Sequence, residues 1–213
     1  HACEAMASYV LEGMLDAVLA HDGDGPWFQE NVEIVAIPFM DKDGVEDGDQ
    51  GKNRRPRDHN RDYGGTSLYP ETAAMRALAA QWPVTPLVAF DLHCPYLRGK
   101  GNEDVYLAGS ANEAVWNRQQ RFCALLETIQ TPGALPYQAK NNLPYGQGWN
   151  NAANFAAGVN YSRWAEDLDG IRLSVNFEIP YATAGGCPVT PEPARAFGHA
   201  LIGALRRFLT ETE

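Results

Sequence analysis

The chain has no excess of basic residues. Its 17 lysines and arginines face 27 acidic residues, a formal net charge of −10 over 213 residues. A protein that binds nucleic acid by neutralising phosphates is normally basic, so nucleic acid is not the expected partner. No apolar run approaches the roughly eighteen residues a membrane span needs, and no basic-then-apolar leader opens the sequence. The sequence therefore reads as soluble, with no membrane partner and a cytoplasmic location by default. Cysteine is sparse: Cys3, Cys94, Cys123 and Cys187 show no CxxC spacing, which argues against a zinc ribbon and against a disulfide-stapled miniprotein. The redox compartment stays open. Internal repeats and low-complexity tracts are missing too, and oligomeric state leaves no mark in the sequence.

What is present is an ordinary globular composition, 45% apolar and 21% charged, long enough to bury a sizeable core. From Glu4 to about Ala20, Met6, Val10, Leu11, Met14, Leu15, Val18 and Leu19 recur at three- and four-residue intervals, which predicts an amphipathic helix. The stretch Asp22 to Pro26 ends it. Val32 to Ile37, Leu87 to Asp91 and Ile171 to Phe177 read as strands, each a short β-rich run bounded by turn or proline signals. Pro70 to Gln81, Ala111 to Ile129 and Pro191 to Leu209 read as helices. Strands alternating with helices predict an α/β fold with a mixed, largely parallel central sheet flanked by helices on both sides. Two long aperiodic stretches, Met40 to Leu68 and Pro132 to Asn160, are expected to be functional loops.

Ligands in open α/β sheets gather beyond the carboxyl ends of strands. There the sequence places the loop Asp41 to Arg61, His93 after the second predicted strand, and Glu178 after the third. His1 and Glu4, three apart, fall on one side of a turn at the head of the first helix. With a distant second histidine they would make a His₂Glu set with an open fourth position, the arrangement of a catalytic zinc. Polar residues at a helix start would account for the pair as well.

Taken in order, HACE, Asp43-Gly44-Val45, Gly51-Lys52-Asn53-Arg54, Asp58-His59-Asn60-Arg61-Asp62-Tyr63, Asp91-Leu92-His93 and Phe177-Glu178 resemble the zinc metallocarboxypeptidase (M14-type) superfamily. The similarity is closer to its cytosolic and bacterial branch than to the digestive enzymes, and spans nearly the whole chain. It implies one catalytic domain over residues 1–213, N-terminally incomplete, with the first strands missing.

The resemblance implies Zn²⁺ as cofactor, with His1, Glu4 and His93 as ligands and Asp58 as the aspartate that orients His1. Glu178 would be the general base, taking a proton from the attacking water and handing it to the leaving amine. Arg54, with Arg55 as its neighbouring rival, would stabilise the developing oxyanion. Asn60 and Arg61 would grip the terminal carboxylate of a peptide or protein substrate. Arg163 falls near the floor of the side-chain pocket, which would favour an acidic C-terminal residue. The lid tyrosine has no fixed match; Tyr161 and Tyr145 are candidates. Cys3 stands where a glycine is usual, and with Cys94 it could bring two thiols close together.

The implied activity is removal of C-terminal residues from peptides by metal-activated water. Two other readings remain: an amidohydrolase of small N-acyl amino acids, similar to aspartoacylase or succinylglutamate desuccinylase, and an inactive binding module of the same fold.

Overall fold

The computed structural model describes residues 1–85, 87–99, 101–129 and 131–211. The first helix, α1 (Ala5–Leu19), buries Ala7, Val10, Gly13, Met14 and Val18, one face of the predicted pattern. It is followed by α2 (Gly25–Asn31), α3 (Lys42–Asp47), a 3₁₀ turn at His59–Arg61 and α4 (Pro70–Gln81). Strand β1 (Val88–His93) leads to β2 (Tyr106–Leu107), α5 (Glu113–Thr128) and α6 (Tyr161–Glu166). Strand β3 (Leu173–Glu178), a small hairpin of β4 (Thr183–Ala184) and β5 (Cys187–Pro188), and α7 (Pro191–Thr210) complete the order.

The main sheet runs β1-β3-β2, with β1 parallel and β2 antiparallel to β3. Side chains alternate across a strand, so the register Asp91↔Asn176 and His93↔Glu178 puts four polar residues on one face. Phe90, Leu92, Val175 and Phe177 take the other. That face packs inward: Phe177 meets the rings of Phe122 on α5 and Phe197 on α7, and Phe90 also meets Phe122. The fully buried rings, Phe122, Phe177 and Phe197, contribute about 1.5–3 kcal/mol each.

Helices α1 and α7 form the most extensive helix pair, and two glycines permit it. A Cβ on Gly13 would lie 2.1 Å from the Arg195 carbonyl oxygen, and one on Gly198 would lie 2.2 Å from that of Val10. Phe197, Leu201, Leu205 and Phe208 of α7 are all buried, as their spacing predicts.

One predicted strand is overturned. Val32 to Ile37 is extended at its start but joins no ladder among the described residues, and Ile34, Val35 and Ile37 are 46%, 42% and 39% exposed. Its β-branched residues favour an extended backbone, yet a strand exists only where a neighbour takes its hydrogen bonds. Both predicted loops are largely ordered. The first holds α3 and the 3₁₀ turn; the second runs beside β2, where Leu143 N–H donates to the Leu107 carbonyl at 2.9 Å. None of the helices is long and apolar enough to cross a membrane, among the described residues.

Candidate metal centre

His1 and Glu4 belong to one tight turn, closed by the Glu4 N–H donating to the His1 carbonyl at 3.1 Å. Glu4 occupies the N-cap position of α1 and is buried, 3% exposed. His93 ends β1 and points from the polar face of the sheet. The three side chains converge: one ligand atom from each lies within 4.8 Å of the others. Glu4 Oε2 is 2.6 Å from His93 Nδ1, and Glu4 Oε1 is 3.1 Å from His1 Nδ1. His1 Nδ1 is buried and completes no hydrogen bond, and buried Glu4 Oε1 has the Lys52 ammonium as its ion-pair partner. Two imidazole nitrogens and a carboxylate with unused lone pairs at one point fit a zinc-type divalent ion.

Further polar groups fix these side chains. Both Asp58 carboxylate oxygens lie 3.1 Å from His1 Nε2, and Asp58 also accepts from the Asn60 N–H at 2.7 Å and the Asn53 N–H at 3.1 Å. His93 Nε2 lies 2.9 Å from Asp91 Oδ1 and 2.7 Å from Asn60 Nδ2. Donation of the Nε2–H to Asp91 is the arrangement that would free Nδ1 as a lone-pair donor when a metal displaces its proton. Lys52 Nζ is 2.8 Å from Glu4 Oε1.

Glu178 is buried at the end of β3, cross-strand neighbour of His93, and its Oε2 has no hydrogen-bond partner. Burial pushes its carboxyl up to about 7, helped by Glu4 and Asp91 and opposed by His93 and Lys52. Burial would raise Glu4 too, but the charged His93 ring and Lys52 bring it down to about 2. Two nearby carboxyls are thus held far apart, one fully ionised and one able to exchange a proton near neutrality.

Of the other residues singled out, Arg61 is half-buried, donating from Nη1 to the Asn60 carbonyl at 2.6 Å and from Nη2 to Asn154 Oδ1 at 3.3 Å. Burial lowers its pKa, with Asp58, Asp91 and Glu178 opposing. Arg163 lines a cavity of about 20 Å³ with Asn176, Phe155, Tyr145 and Glu166. The Arg61 and Arg163 guanidiniums sit 5.3 Å and 4.7 Å from the centre of the Phe155 ring, so both border one aromatic side chain. Asn60 is engaged at both ends: Nδ2 donates to Asp91 at 3.2 Å, and Oδ1 accepts the Tyr161 N–H at 2.9 Å. Arg54 binds Asp41 at 2.5 Å and Asp49 at 2.8 Å, and has no ion pair with the metal-site carboxylates among the described residues. Cys3 faces Tyr181, Sγ to Oη 3.2 Å; Cys94 is buried and both thiols are free.

Comparison with family models finds no match, and comparison with curated proteins finds none either. Solved structures do match. A metallo-carboxypeptidase from Burkholderia cenocepacia superposes with a TM-score of 0.73 at 20% identity, covering 97% of this chain and 53% of its own length. A provisionally named carboxypeptidase from Burkholderia mallei gives 0.76 at 19% identity, covering 98% and 54%. A provisionally named carboxypeptidase A from Shewanella denitrificans gives 0.63 at 23% identity, covering 99% and 55%. The chain has the metallo-carboxypeptidase fold. It spans about half the length of these structures.

Within that fold, three residues had no role in the sequence reading: Lys52 and Asp91, beside the candidate ligands, and Phe155, beside Arg61 and Arg163. Asp91 carried a usable signal, since a carboxylate two residues before a ligand histidine on a strand shares its face. Lys52 was hidden among the four arginines of its loop. Phe155 lies in an aperiodic stretch and meets Arg61 only through the tertiary fold.

Proposed function

We propose that this chain carries the centre of a zinc-dependent carboxypeptidase that removes C-terminal residues from peptides. The observation that carries the reading is the convergence of His1, Glu4 and His93 within 4.8 Å, with Glu178 across the ladder from His93. Zinc, when bound, lowers the pKa of water to about 7 and polarises the scissile carbonyl. Glu178 holds the transferred proton: its raised pKa suits a group that accepts a proton and then returns it to the leaving amine.

Arg61 holds the substrate's terminal carboxylate, its half-buried guanidinium facing a cluster that already contains Asp58 and Asp91. Asn60 supports it by accepting the Arg61 guanidinium on its carbonyl, while its side-chain amide donates to Asp91. Arg54 is held by Asp41 and Asp49, so serving the developing oxyanion requires it to exchange one of these partners for substrate. Arg163 recognises an acidic C-terminal side chain. The cavity beside it, about 20 Å³, has room for little more than one water, so that side chain gains space by displacing Arg163 from the Phe155 ring.

The test is metal analysis of the purified protein after zinc loading, followed by assays on otherwise identical blocked peptides ending in Glu, Lys or Phe. Acetyl-aspartate and succinyl-glutamate are run beside them. About one zinc per chain with release of C-terminal Glu is the expected result. Cleavage of the two N-acyl amino acids alone would move the protein to the amidohydrolases. Zinc binding without any hydrolysis would make it a binding module.

A further inference from the structure

Lys52 lies at the metal centre without having been assigned any role there. Its ammonium is clamped on three sides. It is 2.8 Å from Glu4 Oε1, donates to the Cys94 carbonyl at 2.5 Å, and sits 4.7 Å over the Tyr96 ring. The ring is itself held, its hydroxyl accepting from Asn53 Nδ2 at 2.8 Å. Only 11% of the Lys52 side chain is exposed, so this is not a solvated surface lysine. The preceding residue brings it there. Gly51 has φ +83°, and a Cβ at that position would lie 2.6 Å from Ala2 N and 3.1 Å from His1 Cβ. Any other residue would hold the loop away from the turn that bears His1 and Glu4.

We propose that Lys52 and the metal ion compete for Glu4, so that the ammonium sets how tightly the centre holds its ion. The inference rests on the zinc reading above. Glu4 Oε1 faces both Lys52 and His1 Nδ1. A cation bound by His1 and Glu4 therefore meets a second positive charge on the same carboxylate, in a buried site where repulsion is weakly screened. Lys52 also gives the buried carboxylate a partner whether or not an ion is bound, which avoids an uncompensated internal charge. The centre thereby trades affinity for a stable, reloadable pocket. Arg54 cannot serve in its place, because Asp41 and Asp49 already hold it.

The experiment measures zinc affinity by chelator competition for the wild type, Lys52→Met and Lys52→Arg. Lys52→Met is expected to bind zinc at least about tenfold more tightly, because the repelling charge is gone, with Lys52→Arg close to wild type. In excess chelator Lys52→Met should also melt at lower temperature, since Glu4 loses its partner. A second measurement needs no variant: labelling of Lys52 by an amine-reactive reagent, read by mass spectrometry, should rise severalfold when zinc is added to the wild type. Equal or weaker zinc binding by Lys52→Met, or unchanged labelling, overturns the proposal and leaves the zinc reading standing. Failure of the wild type to bind zinc overturns both.

Discussion

Glu178 stands opposite His93 in the β1–β3 ladder, on the sheet face that also carries Asp91 and Asn176. The opposite face is occupied by Phe90 and Phe177, which pack against Phe122. A one-residue slip of either strand would turn these rings out of the core and its polar residues into it. The aromatic core therefore fixes the acid beside the proposed metal ligands, and the alternation that buries one face builds the other.

Replacing Glu178 by Gln keeps the volume and removes the proton acceptor. The variant is expected to lose about 10²–10⁴ in kcat, the usual contribution of a positioned general base. Zinc content should stay at the wild-type level, because Glu178 lies outside the ligand set. Parallel metal analysis and peptide hydrolysis check this, and full activity would remove Glu178 from the reaction.

The raised pKa of Glu178 also predicts a pH dependence of stability. The folded protein keeps this proton up to about 7, whereas an ordinary glutamate in the unfolded chain releases it near 4.5. Between those values the folded state binds more protons, so stability falls as pH rises, by roughly 3 kcal/mol in total. Glu4 acts the other way but outside this window, its contribution being lost only as pH falls from 4.5 through about 2. Urea denaturation in excess chelator at pH 5 and pH 8 should show the decline in the wild type and a flatter profile in Glu178→Gln.

The parts of this arrangement that were legible in the sequence are local. The spacing of His1 and Glu4 already implies a shared turn, and His93 is expected just beyond the strand end that carries Asp91, whereas the strand runs on to include both. The apolar periodicity of α1 and α7 needs no partner to be read. What escaped depends on distant pairing. Val32 to Ile37 has strand-forming residues but lacks a ladder neighbour, and no local pattern reports that. Lys52 and Arg54 differ by two positions in one basic loop, yet one reaches Glu4 and the other binds Asp41 and Asp49. Charge and spacing do not distinguish them; the glycine before Lys52 and the backbone of the His1 turn do.

The close crossing of α1 and α7 makes Gly198 a sensitive position. In an isolated helix Ala would be favoured over Gly by about 1 kcal/mol. Here the added Cβ would fall 2.2 Å from the Val10 carbonyl oxygen and 2.6 Å from Met14 N, both backbone atoms that cannot rotate away. Gly198→Ala should therefore destabilise by about 1–3 kcal/mol, the range for overpacking a core. Each kcal/mol lowers Tm by about 2–4 °C at this chain length, which calorimetry resolves.

Asp58 tests the support of the metal ligands. Each of its oxygens accepts one backbone N–H, from Asn60 and Asn53, and both face His1 Nε2. Asp58→Asn replaces one acceptor with a donor and removes the charge that holds the His1 ring. Zinc affinity is expected to fall about 10–100-fold, as for other partners of ligand histidines, with a smaller effect on folding. Chelator competition gives the affinity, and wild-type binding would mean that the turn alone orients His1.

Substrate preference turns on the two guanidiniums that share the Phe155 ring. If Arg61 takes the terminal carboxylate and Arg163 the side chain, their loss should differ in kind. Arg61→Ala removes a contact every substrate makes and should lower kcat/KM for peptides ending in Glu, Lys and Phe alike. Arg163→Ala should lower kcat/KM for C-terminal Glu by about 10–100-fold, the worth of one charge-assisted hydrogen bond, and leave Phe nearly unchanged. Arg163→Glu should go further and invert the order of Glu and Lys. Glu166, three residues on in α6 and close enough for Arg163 to act on its carboxyl, already offsets part of this charge. Glu166→Gln should therefore sharpen the preference for Glu. An unchanged Glu-to-Lys ratio in both Arg163 variants would take Arg163 out of the specificity pocket while leaving the zinc centre untouched.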